Sequence, residues 1–166
     1  MGVTSARTRW LLAAAIVCGA ILVGGMVDRV FVAQSAWRQL GAAAWVDYSR
    51  HADLGPGRIA YPLEGIGAAL LTLAAAVSDR LDRPPRRQGR AALYLSAAGY
   101  LAGLLLTLKA APIMLALGDP GSKAGPSRAF ADFSFWGLYL RGGVDAVAFL
   151  CGIWALALPA GNGQPR

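Results

Sequence analysis

The chain has 166 residues, of which 56% are hydrophobic and 15% are charged, and its formal net charge is +7. This composition is unusual for a soluble domain, in which about a quarter of the residues are charged. No alternating pattern of apolar and polar residues occurs, which argues against a membrane β-barrel. Cys18 and Cys151 lie in apolar stretches without the spacing of a redox or metal motif, so we interpret them as packing residues.

Four apolar stretches dominate the chain, at about residues 10–27, 59–78, 91–117 and 133–160. Each approaches the roughly 20 residues that a helix needs to cross a bilayer. We therefore predict an all-α fold, a four-helix transmembrane bundle that forms a single domain over residues 1–166. The predicted helices cover about residues 10–30, 59–78, 91–117 and 133–158, and a disordered tail covers residues 160–166. The first helix is expected to be retained, because its apolar run exceeds a signal-peptide core and no Ala-x-Ala site closes it.

The distribution of basic residues predicts the orientation of the bundle. Segments 1–9, 79–90 and 159–166 hold eight basic residues in 29, whereas segments 28–58 and 118–132 hold six in 46. Because basic residues mark the cytoplasmic side, we predict a multi-pass plasma-membrane protein with both termini in the cytoplasm. Arg outnumbers Lys by 14 to 2 and Ala is abundant, which favours a bacterial inner membrane. Topology and anionic headgroups explain the basic loop over 79–90, so the expected partners are membrane lipids and not nucleic acid.

The segment between the first two apolar stretches, residues 33–52, has its own pattern. At 100° per residue, one helical face collects Trp37, Leu40, Ala44, Tyr48 and His51. This pattern predicts an additional amphipathic outer segment, which either lies at the membrane interface or extends the first helix.

Two glycines in the third stretch, Gly99 and Gly103, stand at GxxxG spacing. Small residues at this spacing let helix backbones approach closely in lipid. The motif predicts tight packing, either within the bundle or between copies of the chain in an oligomer.

Charged residues occur inside the predicted spans. Glu64, Arg141 and Asp145 lie roughly 18–24 Å from the predicted cytoplasmic boundary of a hydrocarbon slab about 30 Å thick. Arg141 and Asp145 are four residues apart and can pair, but a cation before an anion is the weaker order, so Glu64 is expected to reach Arg141 as a second partner. Ionisable residues at such depth usually mark function, which predicts a polar pocket in the outer leaflet. The alternative is a buried cluster that only fixes helix packing.

His51 is the sole histidine and a candidate general base above this pocket, with Asp47 one turn earlier to orient its imidazole. The alternative is an amphipathic side chain at the interface. The candidate catalytic residues are thus His51, Glu64, Arg141 and Asp145. No metal is predicted, because one histidine and no metal-spaced cysteine supply too few ligands; the alternative is a carboxylate-rich site of Glu64, Asp145 and His51.

Aromatic residues gather near the predicted outer interface, where they either form an aromatic belt or line the access route of a flat apolar substrate. The candidate substrate-binding residues are Tyr48, Tyr61, Trp136 and Tyr139. The expected ligand is a lipophilic small molecule.

Several stretches resemble the anthrone-oxygenase-like family of small four-helix membrane proteins. They are "YPLEGIGAALLTLAAA", "KAAPIMLAL" and "FSFWGLYLRGGVDAVAFLCGIWAL", and the likeness covers about residues 10–158. The resemblance implies an oxygenase-type reaction on an aromatic, lipid-soluble substrate without a conventional flavin or haem, and it implies Trp136 and Arg141 as pocket residues. No Rossmann glycine fingerprint or haem-attachment motif is present, and the sequence identifies no cofactor.

Two functions follow from these patterns. The first is an oxygenase-like membrane enzyme with a pocket in the outer leaflet. The second is a non-enzymatic membrane subunit whose buried charges fix helix packing or bind a partner helix. A small-solute carrier is least favoured, because four spans without an inverted repeat do not match known carrier designs.

Overall fold

The computed structural model describes residues 5–82, 89–119 and 125–158 and is helical almost throughout these ranges. This confirms the predicted all-α fold. Within the described ranges we number five helices: α1 (Ala6–Leu40), α2 (Ala42–His51), α3 (Gly57–Leu81), α4 (Arg90–Ala116) and α5 (Pro126–Ala157). The predicted disordered tail over 160–166 lies outside the described residues.

Four of these helices, α1, α3, α4 and α5, are long and apolar enough to cross a membrane, with mean hydropathies between 1.5 and 2.4 over their most apolar windows. Large apolar side chains on all four are exposed at the bundle surface, among them Val17, Leu70, Leu105 and Leu150. A surface of this kind is compatible with acyl chains and not with water. The chain is therefore a multi-pass membrane protein.

The bundle consists of two close helix pairs. Helix α1 packs mainly on α3, and α4 packs mainly on α5. A Cβ atom at Gly99 would lie 2.7 Å from the Cβ atom of Ala148, and one at Gly103 would overlap with the carboxylate of Asp145. The GxxxG motif thus packs α4 against α5 within one chain, and oligomerisation through Gly99 and Gly103 stays a prediction.

Two helices extend well beyond their predicted spans, and each contains a π-helical segment. In α1 the segment Arg29–Ala33 carries the helix on to Leu40, and in α5 the segment Ser134–Leu140 joins an added start at Pro126 to the apolar span. The two π-helical segments contact each other. π-helical turns are rare in proteins, and those that occur are frequently found at functional sites.

The predicted outer segment over residues 33–52 is helical, but it is not one continuous helix. Gly41 has a φ of 94°, a left-handed conformation that favours glycine, and it separates the end of α1 from α2. Because the helix is interrupted there, the 100° periodicity does not continue across it. Trp37 is buried, whereas Leu40, Tyr48 and His51 are exposed.

The end of the bundle that carries α2, which we call the α2 end, has an apolar core of its own. It is built from Trp37, Trp45, Ala110, Met114, Leu117, Ala129, Phe133 and Leu138. Trp45 is completely buried, and its ring lies 5.3 Å from Phe130 and 5.7 Å from Phe133 between centroids. We call this group the cap core.

The opposite end of the bundle, where α1 begins and α3 ends, is held by polar contacts. The hydroxyl of Thr8 lies 2.7 Å from Ser78 Oγ and 3.2 Å from Asp82 Oδ2, which links α1 to the end of α3. Arg90 at the start of α4 donates from Nε to the buried Asp79, over 2.9 Å.

Replacing Thr8 by Val is expected to lower the free energy of unfolding by about 1–3 kcal/mol, since it leaves the buried Ser78 without this partner. Thermal unfolding in detergent, followed by circular dichroism, measures the change. Thr107→Val is the matched control, because the Thr107 hydroxyl bonds only to the carbonyl of Gly103 in its own helix. An equal loss in both variants would contradict the link between α1 and α3.

Candidate functional site

One group of buried charges joins α1, α3 and the turn between α2 and α3. Arg29, the first residue of the π-helical segment in α1, bonds through Nη2 to Asp53 Oδ1 and to the hydroxyl of Tyr61. The Tyr61 hydroxyl also donates to Asp53 Oδ1 over 3.2 Å, and the Arg29 guanidinium lies 4.6 Å from the centroid of the Tyr61 ring. The side chain of Asp53 is only 3% exposed.

A second ion pair lies on α5. Arg141 directly follows the π-helical segment Ser134–Leu140, and its Nε atom is 3.5 Å from Asp145 Oδ2, four residues along the helix. The side chain of Asp145 is buried, and that of Arg141 is 13% exposed. Glycines make room for them: the Asp145 carboxylate lies against Gly103, and Arg141 Nη2 is 3.5 Å from the position that a Cβ atom of Gly65 would occupy.

The two groups are parts of one electrostatic cluster. Arg141 interacts electrostatically with both Arg29 and Glu64. Glu64 is half-buried on α3 and makes no hydrogen bond or ion pair with any residue in the described ranges. We call the set Arg29, Asp53, Tyr61, Glu64, Arg141 and Asp145 the arginine cluster. It brings together three of the four residues that the sequence singled out as catalytic.

Several polar atoms of the arginine cluster have no hydrogen-bond partner. Within the described part of the chain these buried atoms are Arg141 Nε, Asp145 Oδ2 and Asp53 Oδ2. The distance of 3.5 Å between Arg141 and Asp145 gives an ion pair without a well-formed hydrogen bond. Because burying charged groups without hydrogen bonds is costly, the cluster retains capacity to bond a polar group of a ligand.

The structure does not bring His51 to the arginine cluster. Its side chain is 81% exposed, and its Nδ1 atom lies 2.9 Å from the backbone carbonyl of Asp47 and 3.8 Å from the Asp47 carboxylate. A general base must come within hydrogen-bond reach of the proton that it takes. The position of His51 agrees better with the alternative of an interfacial side chain. The buried residue in this part of the chain is Asp53, two residues later.

The four aromatic candidates do not line one access route. Tyr61 belongs to the arginine cluster, and Tyr48 lies next to it, within electrostatic range of Arg29 and with its ring 5.2 Å from Trp37. Trp136 is half-buried against the cap core.

Tyr139 has a separate role. Its hydroxyl donates to Gln34 Oε1 over 2.6 Å and accepts from Arg38 Nη2 over 2.8 Å, so it joins α5 to the upper part of α1. Tyr139 and Trp136 thus contribute to the packing between helices at the α2 end.

Sequence reasoning missed Arg29 and Asp53. Both stand near predicted helix boundaries, where a charged residue is normally solvated. One signal pointed to Arg29: the apolar residues Val30–Val32 follow it, which is unusual beyond a true helix end. Asp53 gave no such signal, because its contact with Arg29 depends on the turn that follows α2.

Comparisons with known proteins identify no relative of this chain. No protein-family model, no curated protein and no solved structure matches the chain. In the described ranges no group of three His, Cys, Asp or Glu residues could hold a metal ion. Fold and site therefore define the chain by class alone: a multi-pass α-helical membrane protein with a buried cluster of paired arginines and carboxylates.

Proposed function

We propose that the chain is a membrane enzyme that binds a lipophilic molecule through an oxygen-bearing group at the arginine cluster and exchanges a proton with it. The observation that carries this proposal is a pair of contacting π-helical segments, one beginning at Arg29 and the other ending just before Arg141, together with buried polar atoms of the arginine cluster that lack partners in the described ranges. Charged residues at such depth in a membrane protein favour a functional role.

Each member of the arginine cluster has a distinct part in this proposal. Arg141 binds the oxygen of the ligand, because its guanidinium is incompletely bonded, and Asp145 positions Arg141 from one turn away. Glu64 accepts or donates the proton, since it is the carboxylate near Arg141 that has no partner of its own in the described ranges. This assigns to Glu64 alone the proton-transfer role for which the sequence offered His51 or Glu64.

The proposed setting is the outer half of a bacterial plasma membrane, with both termini in the cytoplasm, as the distribution of basic residues predicts. A lipophilic ligand would reach the arginine cluster from the acyl chains, between the helices. The family resemblance adds an oxygenase-type reaction on an aromatic substrate as the chemistry to test there.

Titration of the purified protein with 1,8-dihydroxyanthrone, followed by tryptophan fluorescence in nonionic detergent, tests the proposal. Arg141→Gln is expected to weaken binding about tenfold or more, because a charge-assisted hydrogen bond to the ligand is lost. Glu64→Gln is expected to retain binding, because the proposal assigns the bond to the ligand oxygen to Arg141. Anthracene, which has no oxygen, should bind all three proteins equally.

Arg128→Gln is the matched control for this titration. Arg128 pairs with Asp132 on an exposed helix face. Its replacement by Gln therefore lowers the net charge as much as Arg141→Gln does and leaves the arginine cluster intact. Unchanged affinity in the Arg141→Gln variant would contradict the proposal.

The second candidate is a non-enzymatic membrane subunit whose charges fix helix packing. The closed network of Arg29, Asp53 and Tyr61 favours it, because these three groups bond to one another and join three parts of the fold. Under this function, Glu64→Gln and Arg141→Gln would unfold at lower temperature than the wild type and would not differ from it in ligand binding while folded.

A further inference from the structure

A second polar feature lies at the surface of the α2 end, apart from the arginine cluster. It is an open cleft of about 390 Å³, and it is lined by Arg50, Leu54, Arg58, Leu115 and Gly118. It forms where α2 ends, α3 begins and α4 ends. We propose that this cleft binds a phosphate group at the membrane surface.

The two arginines of the cleft differ from the others at the α2 end. Arg29 and Arg128 pair with aspartates, and Arg38 bonds to Tyr139. Arg58 makes no hydrogen bond or ion pair with the residues that the structure describes. Arg50 donates from Nε to the carbonyl of Leu117 over 2.7 Å.

The bond from Arg50 to Leu117 matters for binding. It fixes the plane of the guanidinium at one edge, and the terminal N–H groups of Arg50 have no partner in the described ranges. A guanidinium held in this way loses little side-chain entropy when it binds an anion. Guanidinium groups present paired donors that match the oxygens of phosphate, and Arg50 and Arg58 line one cleft.

The apolar residues of the cleft indicate where the phosphate comes from. Leu54 and Leu115 line the cleft together with the two arginines. The cleft lies where the apolar span of α3 begins and that of α4 ends. Phosphate groups of lipids occupy this level of a bilayer, with their acyl chains on the apolar side. Free phosphate carries the same oxygen atoms but no acyl chain, so it would contact the arginines and not the leucines.

Isothermal titration of the full-length protein in dodecyl maltoside micelles tests the proposal, with dodecyl phosphate as the probe. The wild type is expected to bind it saturably, and Arg50→Gln and Arg58→Gln are each expected to weaken binding about tenfold. Arg128→Gln, which removes one positive charge from the same end of the bundle, is expected to bind like the wild type. Circular dichroism checks that each variant is folded, and Arg58→Gln removes no described contact.

Competition with inorganic phosphate distinguishes the two sources. Full competition at matched concentration supports a site for the phosphate group itself, and weak competition supports a site for a lipid headgroup with its chain. The proposal is overturned if the wild type does not bind dodecyl phosphate saturably. It is also overturned if both cleft variants bind like the wild type, or if Arg128→Gln weakens binding as much as they do.

Discussion

Replacing Asp53 by Ala is expected to lower the free energy of unfolding of the detergent-solubilised protein by about 3–5 kcal/mol. The substitution leaves Arg29 as a buried cation without its ion-pair partner and removes the acceptor of the Tyr61 hydroxyl. It also frees the turn between α2 and α3 from α1. Equilibrium unfolding followed by circular dichroism and by tryptophan fluorescence measures the loss.

Asp47→Ala is the matched control for this experiment. Asp47 is 79% exposed, and its carboxylate lies 3.8 Å from His51. Exposed pairs of this kind contribute about 0–1 kcal/mol. If the two alanine variants unfold alike, the link between Asp53 and Arg29 does not stabilise the fold. The double variant Arg29→Met with Asp53→Leu should recover most of the loss, since it removes both charges together.

Gly103→Ala is expected to lower the free energy of unfolding by about 1–3 kcal/mol, and it should also disturb the Arg141–Asp145 pair. The new Cβ atom would overlap with the Asp145 carboxylate, so α5 must shift or Asp145 must change its rotamer. The loss is measurable by thermal unfolding, and binding of 1,8-dihydroxyanthrone to the folded variant reports on the arginine cluster.

Gly24→Ala tests whether this effect comes from packing. Gly24 is an exposed residue in the interior of α1, and a Cβ atom there would meet nothing within 4 Å. Alanine at such a position is expected to stabilise the helix by up to about 1 kcal/mol. The two substitutions should therefore change the free energy of unfolding in opposite directions. A stabilising effect of Gly103→Ala would contradict the close approach of α4 and α5.

The spans could be predicted because their physical cause is local. Residues 59–78 and 91–117 are apolar over the length of a bilayer, and the helices Gly57–Leu81 and Arg90–Ala116 exceed them by only a few residues at most. The extensions of α1 and α5 could not be predicted in this way. In the extension of α1, polar residues bond to a neighbouring helix, as Gln34 does to Tyr139, and such contacts are not visible in the apolar pattern.

The candidate site was only partly predictable for the same reason. Arg141 and Asp145 are four residues apart on one helix, so their pairing follows from helical spacing. Arg29 and Asp53 are separated by 24 residues, with an interrupted helix and a turn between them. Periodicity grouped His51 with Trp37 on one helical face, and the break at Gly41 separates these two residues into different helices.

The lengths of α1 and α5 indicate that the cap core and the middle of the bundle fold in different solvents. Helices of 35 and 32 residues measure roughly 50 Å at 1.5 Å per residue, whereas the hydrocarbon layer is about 30 Å thick. We expect the excess length to lie at the α2 end, so that Trp37, Trp45 and their neighbours in the cap core leave water on folding. Apolar side chains within the acyl chains exchange one apolar medium for another. We therefore expect the cap core to contribute most of the heat-capacity change on unfolding. Cooling should weaken the cap core and should affect the lipid-embedded packing much less.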